Sequence, residues 1–152
     1  HMDALSGNSQ LVNFICTQEG FEANAYKDSA GIWTVGFGFT GKMHDGRDVK
    51  DVRNLSLDVA KQELAYRLTD LLDELKALCG DVELTENQAS ALASIAYNVG
   101  STALSKSMLI RKIKAKDLIG ASDEFQRWAL CGGKPMRGLK LRRHREAILF
   151  LS

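Results

Sequence analysis

The sequence predicts an α+β fold that is mostly α, with one small β element near the N-terminus. Aromatic and β-branched residues mixed with glycines are confined to residues 25–40, as in a small hairpin or a three-stranded patch. From about residue 56 onward, apolar residues recur at intervals of three and four, which is the spacing of helices. The 152 residues are 45% hydrophobic and 26% charged, a composition that excludes disordered and collagen-like chains.

The N-terminal part is predicted to contain a helix followed by the β element. The helix covers residues 9–19, with Ser9 as its cap and Gly20 as the residue that ends it. Within the β element, residues 28–31 (Asp-Ser-Ala-Gly) carry a turn signal. Residues 41–55 are polar and are predicted to form a loop.

The remaining helices are marked by their caps. The longest has on the order of 20 residues, begins near residue 56, ends before Gly80 and is long enough to join two lobes. Thr85 and Gln88 form a capping box for the next helix, and Ser107 is the predicted cap of the one after it. We predict the helices beyond Gly80 over 85–100, 108–116, 117–131 and 139–150, with a loop at 132–135.

These elements predict a single domain over residues 3–152, because a chain of 152 residues has the length of one domain, possibly in two lobes. The β lobe covers about residues 21–55, and the helical lobe covers about 80–152 together with the helix 9–19. His1-Met2 has the form of a purification-tag remnant, so the lack of a targeting segment here says nothing about where the protein acts. No run of 18 apolar residues is present, so we expect no bilayer-spanning segment.

Charge is divided unevenly along the chain. The net charge is +1 overall, −7 over residues 1–100 and +8 over residues 101–152. The basic C-terminal third suits an anionic polymer such as nucleic acid, a membrane face or a bacterial wall, but a solvated surface without a partner fits equally well. Cys16, Cys79 and Cys131 are too few for a disulfide framework and match no zinc pattern, so three buried thiols are expected, with one disulfide as the alternative.

Three side chains are candidates for catalysis. Glu19 lies in the last turn of the first helix, where the negative end of the helix dipole favours a neutral acid. Asp28 lies in a turn, where backbone amides keep a carboxylate ionised, and Thr34 follows in a strand. The turn at Gly31 leaves open whether Asp28 and Thr34 share a face. Two carboxylates in unlike environments suit glycosidic hydrolysis, although such residues are also common at helix ends and turns without any chemistry.

The full string of residues is more specific. Glu19-Gly20-Phe21, residues 26–31 (Tyr-Lys-Asp-Ser-Ala-Gly) and residues 34–38 (Thr-Val-Gly-Phe-Gly) closely resemble the phage-type lysozymes, the glycoside hydrolase family of phage endolysins. The shared pattern is Glu, eight residues, Asp, five residues, Thr and then Gly-x-Gly. The resemblance covers roughly residues 8–150 and includes the central helix and the last two helices.

This resemblance implies a cleft between two lobes where peptidoglycan is cut between N-acetylmuramic acid and N-acetylglucosamine. It makes Glu19 the general acid, Asp28 the base or the support of an oxocarbenium-like transition state, and Thr34 the holder of the attacking water. It favours inversion at the sugar carbon and requires no metal or organic cofactor. Four less specific positions are expected to contact sugar: Thr40, Tyr97, Asn98 and Ser107. For the last three, a core or helix-capping role remains equally open.

One position departs from the family pattern. Phe39 stands where many members have a histidine after the Gly-x-Gly turn, so we expect altered lobe packing rather than altered chemistry. His44 and His144 are isolated in the sequence and are expected to be lone surface residues rather than metal ligands.

The resemblance predicts a monomeric muramidase that acts in the bacterial periplasm and cell wall, reached from the host cytoplasm by an unknown route. It serves either as a phage endolysin or as an antibacterial effector toxin. Peptidoglycan is the expected partner, and the basic third is expected to meet anionic envelope polymers. A wall-binding domain without catalysis is one alternative. A basic helical nucleic-acid-binding module is another, but no docking motif supports it, so no nucleic-acid partner is expected. Stable membrane insertion is not expected either.

Overall fold

A computed structural model describes residues 4–131 and 134–152, so the proposed tag remnant His1-Met2 and residues 132–133 of the predicted loop lie outside the described residues. The helices are α1 (Ala4–Cys16), α2 (Leu57–Cys79), α3 (Glu86–Val99), α4 (Ser101–Ser105), α5 (Met108–Lys114), α6 (Leu118–Glu124) and α7 (Arg137–Leu151). The strands are β1 (Glu22–Lys27), β2 (Trp33–Gly36), β3 (Leu130–Cys131) and β4 (Lys134–Pro135). The α+β, mostly helical fold class is therefore confirmed.

The chain divides into two compact units, one up to Thr69 and one from Asp70 onward. The first unit contains α1, β1 and β2, and the second contains α3 to α7 and the short strands β3 and β4. Helix α2 begins in the first unit and ends in the second. Each unit is described in turn.

In the first unit, helix α1 begins before the predicted cap Ser9 and ends at Cys16 rather than at Glu19. Asn8 interrupts it with non-helical angles (φ −123°, ψ 17°), so regular helix resumes at Ser9. The Asn8 amide donates to the Thr69 hydroxyl (3.0 Å), which anchors the interruption on α2. Beyond the interruption, the predicted apolar stripe of α1 is buried: Leu11, Val12 and Ile15.

Strands β1 and β2 form an antiparallel hairpin, as the turn signal predicted. Tyr26 pairs with Thr34 and Lys27 with Trp33, and a bulge interrupts the ladder nearer Glu22. The other edge of β1 is bonded to the predicted loop 41–55, since the Ala25 amide donates to the Val52 carbonyl (3.0 Å). That loop contains a 3₁₀ turn at Val49–Asp51 and fills the core of the unit with Met43, Val49, Val52 and Leu55.

The Gly-x-Gly turn follows β2 and returns the chain on itself. Main-chain bonds between Val35 and Phe39 close it, at 3.0 Å and 2.8 Å. Gly36 has φ +65°, and a Cβ there would lie 2.6 Å from Cε2 of Phe39, so only glycine fits. The Phe39 ring is buried, and the Arg67 guanidinium lies 4.8 Å from its centroid. A packed aromatic side chain therefore directly follows the Gly-x-Gly turn.

In the second unit, the predicted caps are confirmed. Thr85 and Gln88 form the complete capping box of α3, and the Ser107 hydroxyl caps α5 by accepting from the Ile110 amide (3.3 Å). Helix α4 was not predicted; it begins directly after Gly100, whose φ of +94° separates it from α3.

The predicted helix 117–131 is wrong in its second half. Helix α6 ends at Glu124, a 3₁₀ turn follows over Phe125–Trp128, and Leu130–Cys131 pairs with Lys134–Pro135 as strands. The Met136 amide also donates to the Ala129 carbonyl (3.0 Å), so strand pairing takes the main-chain groups that a longer helix would have used.

The cysteines differ from the expectation of three buried thiols. Cys79 is buried and free, whereas Cys16 is free but only partly buried, and the side chain of Cys131 lies outside the described residues. Burial raises the pKa of both described thiols above the ordinary value. Among residues 4–131 and 134–152, no helix is long and apolar enough to cross a bilayer.

Candidate active site

Glu19 lies in the connection between the end of α1 at Cys16 and the start of β1 at Glu22. Its amide donates to the Ile15 carbonyl (3.0 Å), which continues the helical hydrogen bonding one turn beyond Cys16. Glu19 is partly buried, and its carboxylate lies close enough to Cys16 to raise the pKa of that thiol, behind the larger effect of burial. The prediction that Glu19 lies in the last turn of the helix is therefore wrong in detail, because regular helix ends at Cys16 and Glu19 lies in the turn that follows.

Asp28 organises the turn between β1 and β2. A single carboxylate oxygen, Oδ1, accepts from the amides of Ala30 (2.8 Å) and Ile32 (2.9 Å). The Asp28 amide in turn donates to the Ile32 carbonyl (2.9 Å), which extends the ladder of the hairpin by one pair. The two amides hold the carboxylate in one orientation, as the turn signal predicted.

Thr34 lies on the same face of the hairpin as Asp28, a relationship that the sequence left open. Tyr26 is the cross-strand partner of Thr34, so their side chains share a face. Asp28 lies one residue beyond β1 and two beyond Tyr26; because its amide bond to the Ile32 carbonyl continues the pairing, strand alternation assigns its Cβ to that face, while Oδ1 turns to the amides of Ala30 and Ile32. Thr34 is 5% exposed, and its hydroxyl donates to the Ile32 carbonyl (3.0 Å).

Thr40 is exposed just after the Gly-x-Gly turn, in a segment that two side chains of α2 hold. The Arg67 guanidinium donates to the carbonyls of Thr40 (3.3 Å) and Lys42 (2.9 Å). The Glu63 carboxylate accepts from the His44 amide (3.0 Å) and from Nε of Arg67 (2.9 Å). The four predicted residues Glu19, Asp28, Thr34 and Thr40 thus belong to one compact unit.

The other three predicted sugar contacts belong to the second unit. Tyr97 is partly exposed near the end of α3. Asn98 is exposed, and its side-chain oxygen accepts a hydrogen bond from the buried Arg143 (2.9 Å). The C-cap of α3 is Gly100 and not Asn98. The Ser107 hydroxyl donates to the Leu104 carbonyl (2.6 Å) and caps α5, so its one proton is used within the chain.

Sequence reasoning missed the pair Glu63 and Arg67. The two residues are four apart on α2, a spacing that is visible in the sequence but is also typical of solvated helix surfaces. Similarly, His44 is not a lone surface residue: it is half exposed, but its ring stacks on Tyr66 with centroids 4.3 Å apart. Among the described residues, no three His, Cys, Asp or Glu side chains are grouped to hold a metal ion.

Part of the basic C-terminal third is buried rather than exposed. Arg142 and Arg143 are 5% and 0% exposed, and both form ion pairs with the buried Glu146 of α7. The Glu146 carboxylate also accepts from the Ser94 hydroxyl of α3 (2.5 Å), and burial raises its pKa against the opposing effect of the two arginines. The expectation of a basic surface in the C-terminal third therefore does not extend to Arg142 and Arg143.

Comparison with known proteins agrees with the motif and the fold. The family description "Phage lysozyme" matches residues 16–146 of the chain. The endolysin of Salmonella phage P22 is 36% identical over 135 residues, which are 89% of this chain and 90% of the phage protein. The endolysin of Bacillus phage B103 is 35% identical over 143 residues, and the match spans 52% of its length. A crystal structure of a P22 lysozyme mutant superimposes with a TM-score of 0.82 at 33% identity, covering 95% of this chain and 97% of that one.

The motif, the mostly helical fold and these matches define a lysozyme-type glycoside hydrolase. The chain belongs to the phage lysozyme family. It is accordingly a peptidoglycan-degrading muramidase that acts on the bacterial cell wall.

Proposed function

We propose that Glu19, Asp28 and Thr34 carry out the hydrolysis of the β-1,4 bond between N-acetylmuramic acid and N-acetylglucosamine. Glu19 protonates the bridging oxygen, Asp28 faces the sugar carbon as an anion, and Thr34 orients the attacking water. The observation that carries this assignment is the shared face of Asp28 and Thr34 on one hairpin, in the same compact unit as Glu19.

The hydrogen bonding of Thr34 defines how it would hold a water. Its one proton is donated to the Ile32 carbonyl, so the hydroxyl oxygen is the atom that meets a water and accepts a hydrogen from it. A second hydrogen of that water can go to the carboxylate of Asp28, whose Oδ1 is already engaged with two amides. The water then directs a lone pair at the sugar carbon, which is the orientation that nucleophilic attack requires.

The attack of a separately held water gives inversion. The leaving oxygen takes its proton from Glu19 on one side of the ring, while the water enters from the side of Asp28 and Thr34. In this scheme Asp28 receives the proton of the water as base and stabilises positive charge on the ring. The two carboxyl groups act on opposite faces of the sugar, and the scheme uses no further reactive group.

The four residues proposed to contact sugar away from the reacting bond differ in the chemical group that each can offer. Thr40 presents an exposed side chain beside the Gly-x-Gly turn. Asn98 keeps its amide nitrogen as the donor to a sugar, because its oxygen is held by Arg143. Ser107 retains only acceptor capacity, and Tyr97 contributes a partly exposed ring.

The remaining basic residues of the C-terminal third are proposed to attract anionic envelope polymers. Lys112 and Arg127 pair with Glu124, and Arg142 and Arg143 are buried, so none of these four carries the interaction. The other exposed members among the described residues are Lys106, Arg111, Lys114, Lys116, Arg137, Lys140 and Arg145. We propose a monomer that works in the periplasm on the wall itself, with an attraction that weakens as salt is added.

The test is the lysis of permeabilised Gram-negative cells together with mass analysis of the soluble products. The proposal predicts falling turbidity and disaccharide-peptide fragments that end in N-acetylmuramic acid at their new reducing ends. A protein that sediments with purified walls but releases no reducing ends would be a wall-binding domain, and the proposed chemistry would be wrong.

A further inference from the structure

We propose that Glu63 and Arg67 of α2 are positioning residues for substrate binding, which they control through the segment 39–44. The inference rests on the proposed function, because it takes Thr40 in that segment as a sugar contact. Neither residue belongs to the motif that identifies the family, and neither is proposed to touch the reacting atoms.

The segment is held at three alternate residues by two side chains one helical turn apart. The carbonyls of Thr40 and Lys42 accept from Arg67, and the amide of His44 donates to Glu63. These three hydrogen bonds all go to the main chain, and the side chain of Thr40 is exposed beside the turn. The two side chains therefore hold the backbone that presents Thr40, in addition to the main-chain bonds of Gly41 with Val49 and of Met43 with Arg47.

The two anchoring side chains are themselves fixed. Glu63 is 6% exposed and binds Nε of Arg67 at 2.9 Å, which directs the other guanidinium nitrogens at the carbonyls. The guanidinium also lies over the ring of Phe39, the residue directly before Thr40. The amide and the carbonyl of Phe39 both form hydrogen bonds with Val35 of β2. The backbone position of Thr40 is therefore fixed relative to the hairpin that carries Thr34.

This geometry needs arginine in particular. A planar guanidinium donates to Glu63 with one nitrogen and to two carbonyls with the others, while its face covers an aromatic ring. A lysine in its place keeps the charge but offers a single nitrogen, which cannot reach both carbonyls and Glu63 together. Loss of these bonds would leave the segment held on this side only by the main-chain bonds of Gly41 and Met43, and Thr40 would meet the sugar in the right place only part of the time.

The experiment measures kcat and KM for purified peptidoglycan, as reducing ends released, in Arg67→Gln, Arg67→Lys and Arg53→Gln proteins. Arg53 is the matched control, because it also donates to two main-chain carbonyls, those of Lys50 and Val52, but not in the segment 39–44. All rates are taken well below the Tm of every variant. We expect both Arg67 variants to raise KM about tenfold with little change in kcat, as expected for a misplaced contact. Arg53→Gln should match the wild type.

A double mutant separates positioning from simple stabilisation. If Arg67 acts through Thr40, then Thr40→Ala raises KM by itself, and adding Arg67→Gln to it raises KM little further. Additive effects, or a lower Tm with unchanged KM in both Arg67 variants, would overturn the proposal. Failure of the wild-type protein to release reducing ends would instead overturn the proposed function, so the two failures are distinguishable.

Discussion

The ring of Phe21 packs against the ring of Phe37, with centroids 5.2 Å apart and an angle of 49° between the planes. Phe21 comes two residues after Glu19, and Phe37 is the central residue of the Gly-x-Gly turn after Thr34. The contact joins the beginning and the end of the motif that contains Glu19, Asp28 and Thr34, inside one compact unit. The motif is therefore also a packing unit, and its aromatic positions help to hold its polar ones.

The first prediction concerns the charge of Asp28. If Asp28 acts as proposed, Asp28→Asn should lower kcat by about 10² to 10³, because the charge assigned to face the transition state is lost. The hairpin should remain, since an amide oxygen can accept from Ala30 and Ile32 as Oδ1 does now. Steady-state rates and Tm measure the two effects separately.

Asp28→Ala is the matched variant for the same site. It removes the acceptor as well as the charge, and each lost hydrogen bond costs about 1 kcal/mol. Its Tm should therefore fall clearly below that of Asp28→Asn. Equal activity of Asp28→Asn and wild type would show that the charge has no part in the reaction.

The second prediction concerns the water assigned to Thr34. Thr34→Val keeps the branched shape in a site that is only 5% exposed but removes the oxygen that accepts from the water. Misdirected water should lower kcat by roughly tenfold to hundredfold with little change in KM. Thr34→Ser keeps the hydroxyl and should retain most of the rate; if the serine variant were as slow as the valine variant, the hydroxyl would not be the functional group.

The third prediction separates two costs at the Gly-x-Gly turn. Gly36→Ala and Gly38→Ala both place a side chain at positive φ, +65° and +85°, which costs about 1–2 kcal/mol. Only the Cβ at position 36 meets Phe39, at 2.6 Å, whereas in the described residues nothing lies within 4 Å of a Cβ at position 38. Chemical denaturation should show Gly36→Ala to be less stable by about a further 1–3 kcal/mol. Equal losses would show that the steric contact does not matter.

The fourth prediction concerns stability in acid. A hydrogen bond from Lys112, with help from Arg127, lowers the pKa of Glu124 below its ordinary value of 4.5 despite its burial. The stabilisation is present above pH 4.5 and is lost as the pH falls through the lower pKa of the folded state, because the unfolded chain takes up the proton first. Glu124→Gln should therefore lower Tm at neutral pH and flatten its decline below pH 4.5.

Asp123→Asn is the control for this effect, since Asp123 is an exposed neighbour on the same helix. Its Tm profile should follow that of the wild type. A Glu124→Gln profile as steep as the wild-type profile would mean that other groups control acid unfolding.

Features that depend on neighbouring residues were predictable from the sequence. The turn at Asp28 and the caps at Thr85 and Ser107 each use partners within four residues, so the local residue types determine them. The motif of Glu19, Asp28 and Thr34 could be recognised for a related reason. Its three residues lie close together in the chain, one just after α1 and two in the hairpin that follows. The shared face of Asp28 and Thr34 required the strand register, which the sequence does not state.

Features that depend on distant contacts were not predictable. Arg67 meets Thr40 and Lys42 across 27 and 25 residues, and no local pattern distinguishes it from a solvated arginine. Arg142 and Arg143 were assigned to a basic surface because net charge carries no information about burial, and their partner Glu146 is buried with them. The helix predicted over 117–131 failed because pairing of Leu130 with Pro135 competes with helical bonding in a way that apolar spacing does not reveal.

The most direct test compares two glutamates close together in the chain. Glu19→Gln removes the proposed proton donor, and Glu22→Gln makes the same change at an exposed position in β1. The initial release of reducing ends from purified peptidoglycan should fall by about 10² to 10⁴ in Glu19→Gln and stay at the wild-type rate in Glu22→Gln. A folded Glu19→Gln protein that works as fast as the wild type would contradict the assignment of Glu19 as the acid.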